Sequence, residues 1–525
     1  MPEAAPARLN IADEFISRPA REYSSKIAVI SSEGPEGGAE FSYADVEREV
    51  NRVAHALRAS NCQPGDRVLI VLPDSIEFVA SFFGTAKIGA IAVPVNSMAR
   101  QSDYQHYLED CGARFAIVHR DSYEAVATAL ARSSVECAVV VGSRQRIEPA
   151  IRDVTVRWEE WLPEWGAPVR THATAPADPA FLLYTSGTGG PARAAVHGHK
   201  DMLVTSRGFA QGVLGLRADD RTFSVSKLFF AYGLGNAMYF PFSVGATTIL
   251  YPARARADRI AELVARQRPT VFFSVPTFYG ALLREAENGW RMDFSSLRLA
   301  VSAGEALPAE IFRRFRERFS IEILDGIGST EMLHMYISCR PGATRAGSCG
   351  MPVPGYRARI LDDQGGEVPE GTIGNLWIAG DSMFAEYWNQ PELTARVRNG
   401  PWFSTGDKFI RDPDGFHCYC GRSDDMIKVS GMWVSPGEVE NALLTHPAVT
   451  ECAVVGHADA VGLVRPVAYI VLRSAIVAPG GLDSELNDWL HARLVGFKCP
   501  EEYRFVAALP KTATGKIQRF LLRQS

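Results

Sequence analysis

The stretch Phe181-Leu-Leu-Tyr-Thr-Ser-Gly-Thr-Gly-Gly-Pro-Ala-Arg-Ala-Ala-Val-His-Gly-His199 runs from an apolar strand into a loop of glycines and hydroxyls. Glycine tolerates positive φ and close backbone approach, so N–H groups around Gly187 and the hydroxyls of Thr185, Ser186 and Thr188 can surround phosphate oxygens. The patterns G-x-x-x-x-G-K-[ST] and G-x-G-x-x-G both fail here, which argues against a P-loop NTPase and a Rossmann dehydrogenase. A glycine-rich turn alone is commonly just a turn. This one has ordered company: Ser302-Ala-Gly-Glu-Ala306, Asp325-Gly-Ile-Gly-Ser-Thr-Glu331, Ser404-Thr-Gly-Asp407, Gly421-Arg-Ser-Asp-Asp-Met-Ile-Lys428 and Pro510-Lys-Thr-Ala-Thr-Gly-Lys516.

Together these segments resemble the adenylate-forming superfamily of acyl-CoA synthetases, carrier-loading adenylation domains and firefly-type luciferases, from about residue 25 to the C-terminus. Within it, Lys227-Leu-Phe-Phe-Ala-Tyr-Gly-Leu-Gly-Asn236 and Gly326-Ile-Gly-Ser-Thr-Glu-Met-Leu-His334 are most similar to benzoate-CoA ligases and relatives for other aryl acids, anthranilate-CoA ligase included.

The resemblance implies a reaction in two steps. A carboxylate is a poor acyl donor; it would be joined to the α-phosphate of ATP with loss of pyrophosphate, and a thiol, that of coenzyme A, would then displace AMP. Glu331 would be the Mg²⁺ partner, since a hard cation bridging phosphates needs one carboxylate and several waters. Thr330 would hydrogen-bond the α-phosphate. Asp407 would accept from the ribose hydroxyls and Arg422 would add a donor there. Gly304 and Glu305 would flank the adenine, and Asp325 is counted with the nucleotide-binding set. Lys516, carried on a mobile domain, would stabilise the pentavalent transition state by its charge. Two roles stay open for Lys428: lining the thioester-forming site, or covering a domain face.

The phosphate loop departs from the family's T-S-G-T-T-G-x-P-K-G. A hydroxyl is lost at Gly189, and Arg193 stands where lysine is expected, offering a planar fork in place of a compact ammonium. For the acyl group, Phe229-Phe-Ala-Tyr232 supplies no acid to hold an α-ammonium. Ala231, Tyr232, Ala303, Gly328, His334 and Met335 suggest a flat, mostly apolar slot for an aryl ring. His197 and His199 have no evident third ligand and are expected as strand residues, not a metal pair.

The elements that must position these residues show a βαβ rhythm. A helical pattern over Tyr43 to Leu57, a strand from Arg67 to Leu72, a helix ending near Gly89 and a strand from Ala90 to Val95 set it. It recurs at Phe115, Ala138, Thr247, Val271 and Leu297, predicting stacked α/β layers with largely parallel sheets. After Gly350 short alternating runs between Gly, Pro and Asp turns predict a β-rich subdomain. Ser435-Pro436 is a cap followed by proline at the first helical position, opening a terminal unit. The expected fold is thus α/β: a large N-terminal adenylate-forming domain, residues 1–423, whose β-rich part spans 350–423, and a small mobile α+β C-terminal domain, residues 424–525, hinged at Asp424.

The chain's 525 residues suit several cores, and 46% hydrophobic with 22% charged residues excludes global disorder. Fifty-five basic against 60 acidic residues leave no basic excess for nucleic acid. The uncharged run Leu228 to Tyr251 holds Asn236, Pro241 and three glycines, so a buried strand and helix are expected, not a membrane span. No secretory signal is visible at the N-terminus. Nine scattered cysteines, never spaced C-x-x-C, predict reduced thiols in the cytoplasm, with Cys418 and Cys420 on one face of a strand. Two rival readings remain: a free-standing adenylation enzyme that loads an aryl acid onto a carrier-protein thiol, and a non-catalytic acyl-nucleotide binding protein. Nine residues follow Lys516, so no fused carrier is expected.

Overall fold

The computed structural model describes residues 7–32, 38–142, 155–185, 191–429, 432–458, 464–473, 481–511 and 517–524. A seven-stranded sheet is ordered Thr155–Arg157, Cys137–Val141, Phe115–His119, Arg67–Val71, Ile91–Pro94, Pro179–Thr185 and Arg193–Gly198. All neighbours are parallel except the last pair, which is antiparallel. Val68 to Val71 are wholly buried, as a parallel strand covered on both faces requires. One covering helix, Tyr43–Ala59, starts at Ser42, whose side chain accepts from the Asp45 N–H while Asp45 reaches back to the Ser42 N–H. It buries Val46, Val50, Val53 and Leu57.

A nine-stranded sheet is ordered Met351–Pro352, Met335–Ser338, Ile323–Gly328, Leu299–Ser302, Val271–Ser274, Arg221–Ser224, Thr247–Leu250, Ile27–Ser31 and Glu40–Ser42. Its centre is parallel and both its edges are antiparallel. The uncharged segment ends in the strand Thr247–Leu250, preceded by the helical pieces Ala231–Leu234 and Phe240–Ser243. Among the described residues no helix is long and apolar enough to cross a membrane.

The expected β-rich part is an antiparallel sheet of Arg357–Leu361, Gly374–Ala379, Trp402–Arg411, Arg398–Asn399 and His417–Arg422. It has no core of its own: Ile360, Leu376, Ile378, Phe403 and Phe409 belong to one apolar cluster with Phe82, Phe181 and Tyr336. Its boundary is also less sharp than the turn pattern suggests, because Met351–Pro352 edges the nine-stranded sheet.

Beyond residue 426 a separate apolar cluster gathers Ile427, Val434, Val439, Leu443, Val454, Ile470, Leu486 and Leu490. It joins the hairpin Ile427–Val429 with Met432–Val434, the sheet Val449–Ala458, Val464–Leu472 and Glu502–Phe505, and the helices Pro436–Leu444 and Leu482–His491. Ser435 caps the first of these helices, accepting the Glu438 N–H at 3.3 Å. Glu451 links this unit to the rest, pairing with Arg284 at 2.9 Å, and is also paired within the unit with Lys511 at 2.6 Å.

Candidate active site

A cavity of about 690 Å³ opens at the carboxyl ends of three neighbouring parallel strands, Val271–Ser274, Leu299–Ser302 and Ile323–Gly328, where open α/β sheets place ligands. Its wall takes Gly304 and Glu305 from the loop after the second strand, Gly328 and Ser329 from the third, and Asp407, Tyr419 and Arg422 from the antiparallel sheet. Asp407 and Arg422 are register partners on adjacent strands. Arg422 Nη1 donates to Asp407 Oδ1 at 3.1 Å and to the Thr405 carbonyl at 2.9 Å. Gly406 has φ +73°, and a Cβ there would stand 3.0 Å from Arg422 Nη2. Both facts favour glycine at this point of the strand Trp402–Arg411.

The tight turn Thr330–Met332 follows the cavity wall and is held from several directions. Tyr387 Oη donates to Glu331 Oε1 at 2.6 Å. The Glu331 carbonyl accepts the Phe384 N–H at 2.7 Å, and the Met332 carbonyl accepts Ser382 Oγ at 2.8 Å. Burial and the neighbouring Glu331 push the Tyr387 phenol well up, against the opposing charge of Arg193. Arg193 is there because its strand, Arg193–Gly198, pairs with the 385–388 segment: Ala385 N–H donates to the Val196 carbonyl, and Trp388 N–H to that of Ala194, both at 2.8 Å. The strand leaving the phosphate loop and the Glu331 turn therefore meet at one phenol.

Glu331 is 9% exposed, and no group of three or more His, Cys, Asp or Glu side chains converges among the described residues. A single carboxylate fits Mg²⁺, which keeps waters and phosphate oxygens as its other ligands.

Beside the cavity lies an aromatic cluster. His334 packs against Phe240, Phe209 and Tyr232 with ring centroids 4.5, 5.2 and 5.4 Å away. Its Nε2 lies 3.1 Å from Asn236 Oδ1. Burial lowers the imidazole to about 3, so it is neutral and presents no charge to a second carboxylate on a ring. Leu333 has φ +66°, and the His334 N–H bonds the Met332 carbonyl at 2.8 Å, a strained three-residue turn that aims His334 at Asn236. The other side of the cluster is anchored by Asp74, whose Oδ1 accepts the Leu228 N–H at 2.9 Å. Lys227 Nζ lies 3.7 Å from Asp74 Oδ2.

Residues 16–388 match the AMP-binding enzyme family, and residues 438–516 match the AMP-binding enzyme C-terminal domain. The chain belongs to the AMP-binding enzyme family. It is 41% identical over 524 residues to a benzoate–CoA ligase of Thauera aromatica, with 99% of this chain and 97% of that protein covered. Among solved structures it resembles the anthranilate CoA ligase AuaEII in complex with anthranoyl-AMP, with TM-score 0.92, 38% identity, and 99% and 97% of the two chains covered. A benzoate CoA ligase from Burkholderia xenovorans LB400 gives TM-score 0.88 at 38% identity over 98% and 99%.

In this AMP-binding enzyme the expected nucleotide residues divide. Gly304, Glu305, Asp407 and Arg422 share the cavity wall, with Thr330 and Glu331 directly after it. Thr185 ends its strand opposite Arg193. Ser186, Gly187, Thr188, Gly189 and Lys516 lie outside the described residues, although Lys511 and Ile517, on either side of Lys516, both line the cavity.

Asp325, expected with the nucleotide set, is not among the residues lining the cavity, although Gly326 to Ser329 beside it are. Its carboxyl is buried beside Ser302, its register partner, and burial raises it to about 8. It therefore supports the 302–307 loop from beneath and is not on the cavity wall. Lys428 is exposed, with Nζ 5.2 Å over the Trp433 ring, which favours the domain-face role in this arrangement. Of the expected aryl slot only Gly328 lines the cavity. Ala231, Tyr232, Ala303, His334 and Met335 pack beside it, and Met335 Sδ would lie 3.2 Å from a Cβ on Gly326, so Met335 packs on backbone. His199 opens the helix His199–Thr205 instead of continuing the strand, and its Nδ1 accepts the Ile11 N–H at 3.2 Å.

Sequence reasoning passed over Tyr387, Tyr419, Asn236 and Asp74. None carries a local signal, because each acts on a partner brought near by the fold.

Proposed function

We propose that this enzyme is an ATP-dependent aryl-acid:CoA ligase that forms an aryl-AMP intermediate and then aryl-CoA, releasing pyrophosphate and AMP. The observation that carries the reading is the convergence of Gly304, Gly328, Asp407 and Arg422 on one cavity, with Thr330 and Glu331 at its edge, in a chain similar over almost its whole length to ligases named for benzoate and anthranilate. In the first step a carboxylate oxygen of the acid bonds to the α-phosphorus and the bond to pyrophosphate breaks. In the second a thiol sulfur bonds to the acyl carbon, AMP leaves, and the thiol proton passes to solvent.

Asp407 and Arg422 orient the ribose, Gly304 and Glu305 flank the adenine, and Thr330 donates to the α-phosphate. Glu331 would hold Mg²⁺, which neutralises phosphate charge when bound. Lys516 supplies charge to the first transition state, and the C-terminal unit turns about Asp424 between steps. The contacts around that residue suit a hinge: the Ser423 N–H bonds the Gly406 carbonyl at 2.9 Å, while Asp425 pairs with Arg523 of the terminal unit. A cytoplasmic setting goes with this reading, since all nine cysteines are free thiols.

The aryl acid is small and planar in this reading, because the aromatic residues Tyr232 and His334 pack beside the cavity near Gly328 and the Phe229–Tyr232 segment offers no acid to an α-ammonium. The test is AMP release from benzoate and 2-aminobenzoate with ATP, with and without coenzyme A. CoA-dependent turnover supports the ligase. Slow, CoA-indifferent release of aryl-AMP points to carrier loading, and no pyrophosphate exchange at all to an acyl-nucleotide binding protein.

A further inference from the structure

His197 lies outside the cavity wall, on the strand that leaves the phosphate loop, and is wholly buried. Its ring stacks on Phe181 with centroids 5.3 Å apart and planes at 18°. Nε2 is 2.8 Å from the carbonyl of Thr330, and Nδ1 is 2.8 Å from Asp201 Oδ2. The hydrogens follow from the partners. A backbone carbonyl only accepts, so Nε2 must donate to it. Asp201 Oδ2 also accepts the Gly198 N–H at 3.0 Å. Asp201, on the helix His199–Thr205 that follows the strand, holds the ring angle.

Burying such a pair is costly, and its return is geometric where it exists. Here the geometry ties two segments 133 residues apart. One is the strand carrying Arg193; the other is the turn carrying Thr330 and Glu331.

We propose that His197, oriented by Asp201, is a positioning residue that sets the distance between the strand beginning at Arg193 and the Thr330 turn, so that Arg193 and Thr330 meet one triphosphate. The inference rests on the ligase reading. His197 touches no reacting atom; it acts through the Thr330 carbonyl. Without that bond the turn keeps its Phe384 and Ser382 contacts but loses its direct hydrogen bond to the strand that begins at Arg193, which then reaches it through Tyr387 and the 385–388 segment.

The test compares His197→Gln, His197→Leu and Asp201→Asn with wild type by ATP–pyrophosphate exchange, by calorimetric ATP binding and by thermal midpoint. Losing a buried hydrogen bond to a carbonyl that must stay buried predicts a KM for ATP raised about tenfold or more in His197→Leu. The KM for the aryl acid should change far less, because His334 is held by Asn236. His197→Gln keeps a donor toward Thr330 and should recover most of the ATP affinity; Asp201→Asn should fall between. Equal increases in both KM values with no rescue by Gln would overturn the positioning role, as would unchanged ATP binding in His197→Leu. If His197→Leu does not fold, the same decision rests on His197→Gln and Asp201→Asn. Absence of exchange in wild-type enzyme would count against the ligase reading instead, and calorimetric ATP binding would still decide the role of His197.

Discussion

Tyr387 and Glu331 share a 2.6 Å hydrogen bond although 56 residues separate them, and Arg193 approaches the same phenol from the strand beyond the phosphate loop. The bond occupies one carboxylate oxygen, leaving the other for a ligand. This carboxylate is thus oriented before any nucleotide arrives.

Tyr387→Phe should therefore retain the fold but raise the Mg²⁺ concentration needed for half-maximal adenylation, with the rate down about tenfold, the scale of one hydrogen bond to a charged group. Glu331→Gln should lose far more. A Mg²⁺ titration of pyrophosphate exchange measures both, and an unchanged midpoint in Tyr387→Phe would show that the phenol does not orient the carboxylate.

Lys516→Ala should lose adenylation by about three orders of magnitude, as removal of a transition-state charge does, yet still convert supplied aryl-AMP to aryl-CoA. In the proposed mechanism charge on the α-phosphate develops in the first step, and the C-terminal unit would carry this lysine away for the second. Single-turnover assays of the separate half-reactions decide it; equal loss in both contradicts the assignment.

Asp424→Pro should slow thioester formation much more than adenylation. Proline fixes φ near −65° (roughly), whereas a hinge must absorb a large dihedral change. Unchanged thioester formation from preformed aryl-AMP would place the pivot elsewhere.

The buried Asp325 makes stability depend on pH. Its acid is raised by burial to about 8, above the usual carboxylate range, so the folded state binds a proton that the unfolded state releases. Its contribution is full at low pH and is lost as pH rises through about 8. Between pH values of about 6 and 9 the thermal midpoint of wild type should fall more steeply than that of Asp325→Asn; parallel curves would mean the acid does not titrate there.

Much of this was legible in the sequence, for definite reasons. Strands such as Arg67–Val71 and Phe115–His119 are continuous apolar runs between turns, and Ser435-Pro436 states a helix start by its own chemistry. Gly304, at φ +89°, stands on the cavity wall where the resemblance placed it. What stayed hidden were long-range partnerships. Nothing near Leu228 announces Asp74, 154 residues earlier, and nothing near Thr330 announces His197. The burial of Asp325 was also hidden, because nothing in its motif tells an inward carboxyl from a wall residue. The β-rich part was legible as strands from its turn spacing, which does not report that those strands share the large apolar cluster.

The central claim is tested most directly by kcat/KM for CoA-dependent AMP formation with benzoate, 2-aminobenzoate, 4-hydroxybenzoate, phenylalanine and octanoate. An aryl amine is weakly basic and needs no buried acid, so 2-aminobenzoate should be accepted alongside benzoate. One substituent in an apolar slot is worth only about 1–3 kcal/mol, so the benzoates should cross-react. The account predicts all three benzoates well ahead of the other two acids; a clear preference for phenylalanine or octanoate would contradict it.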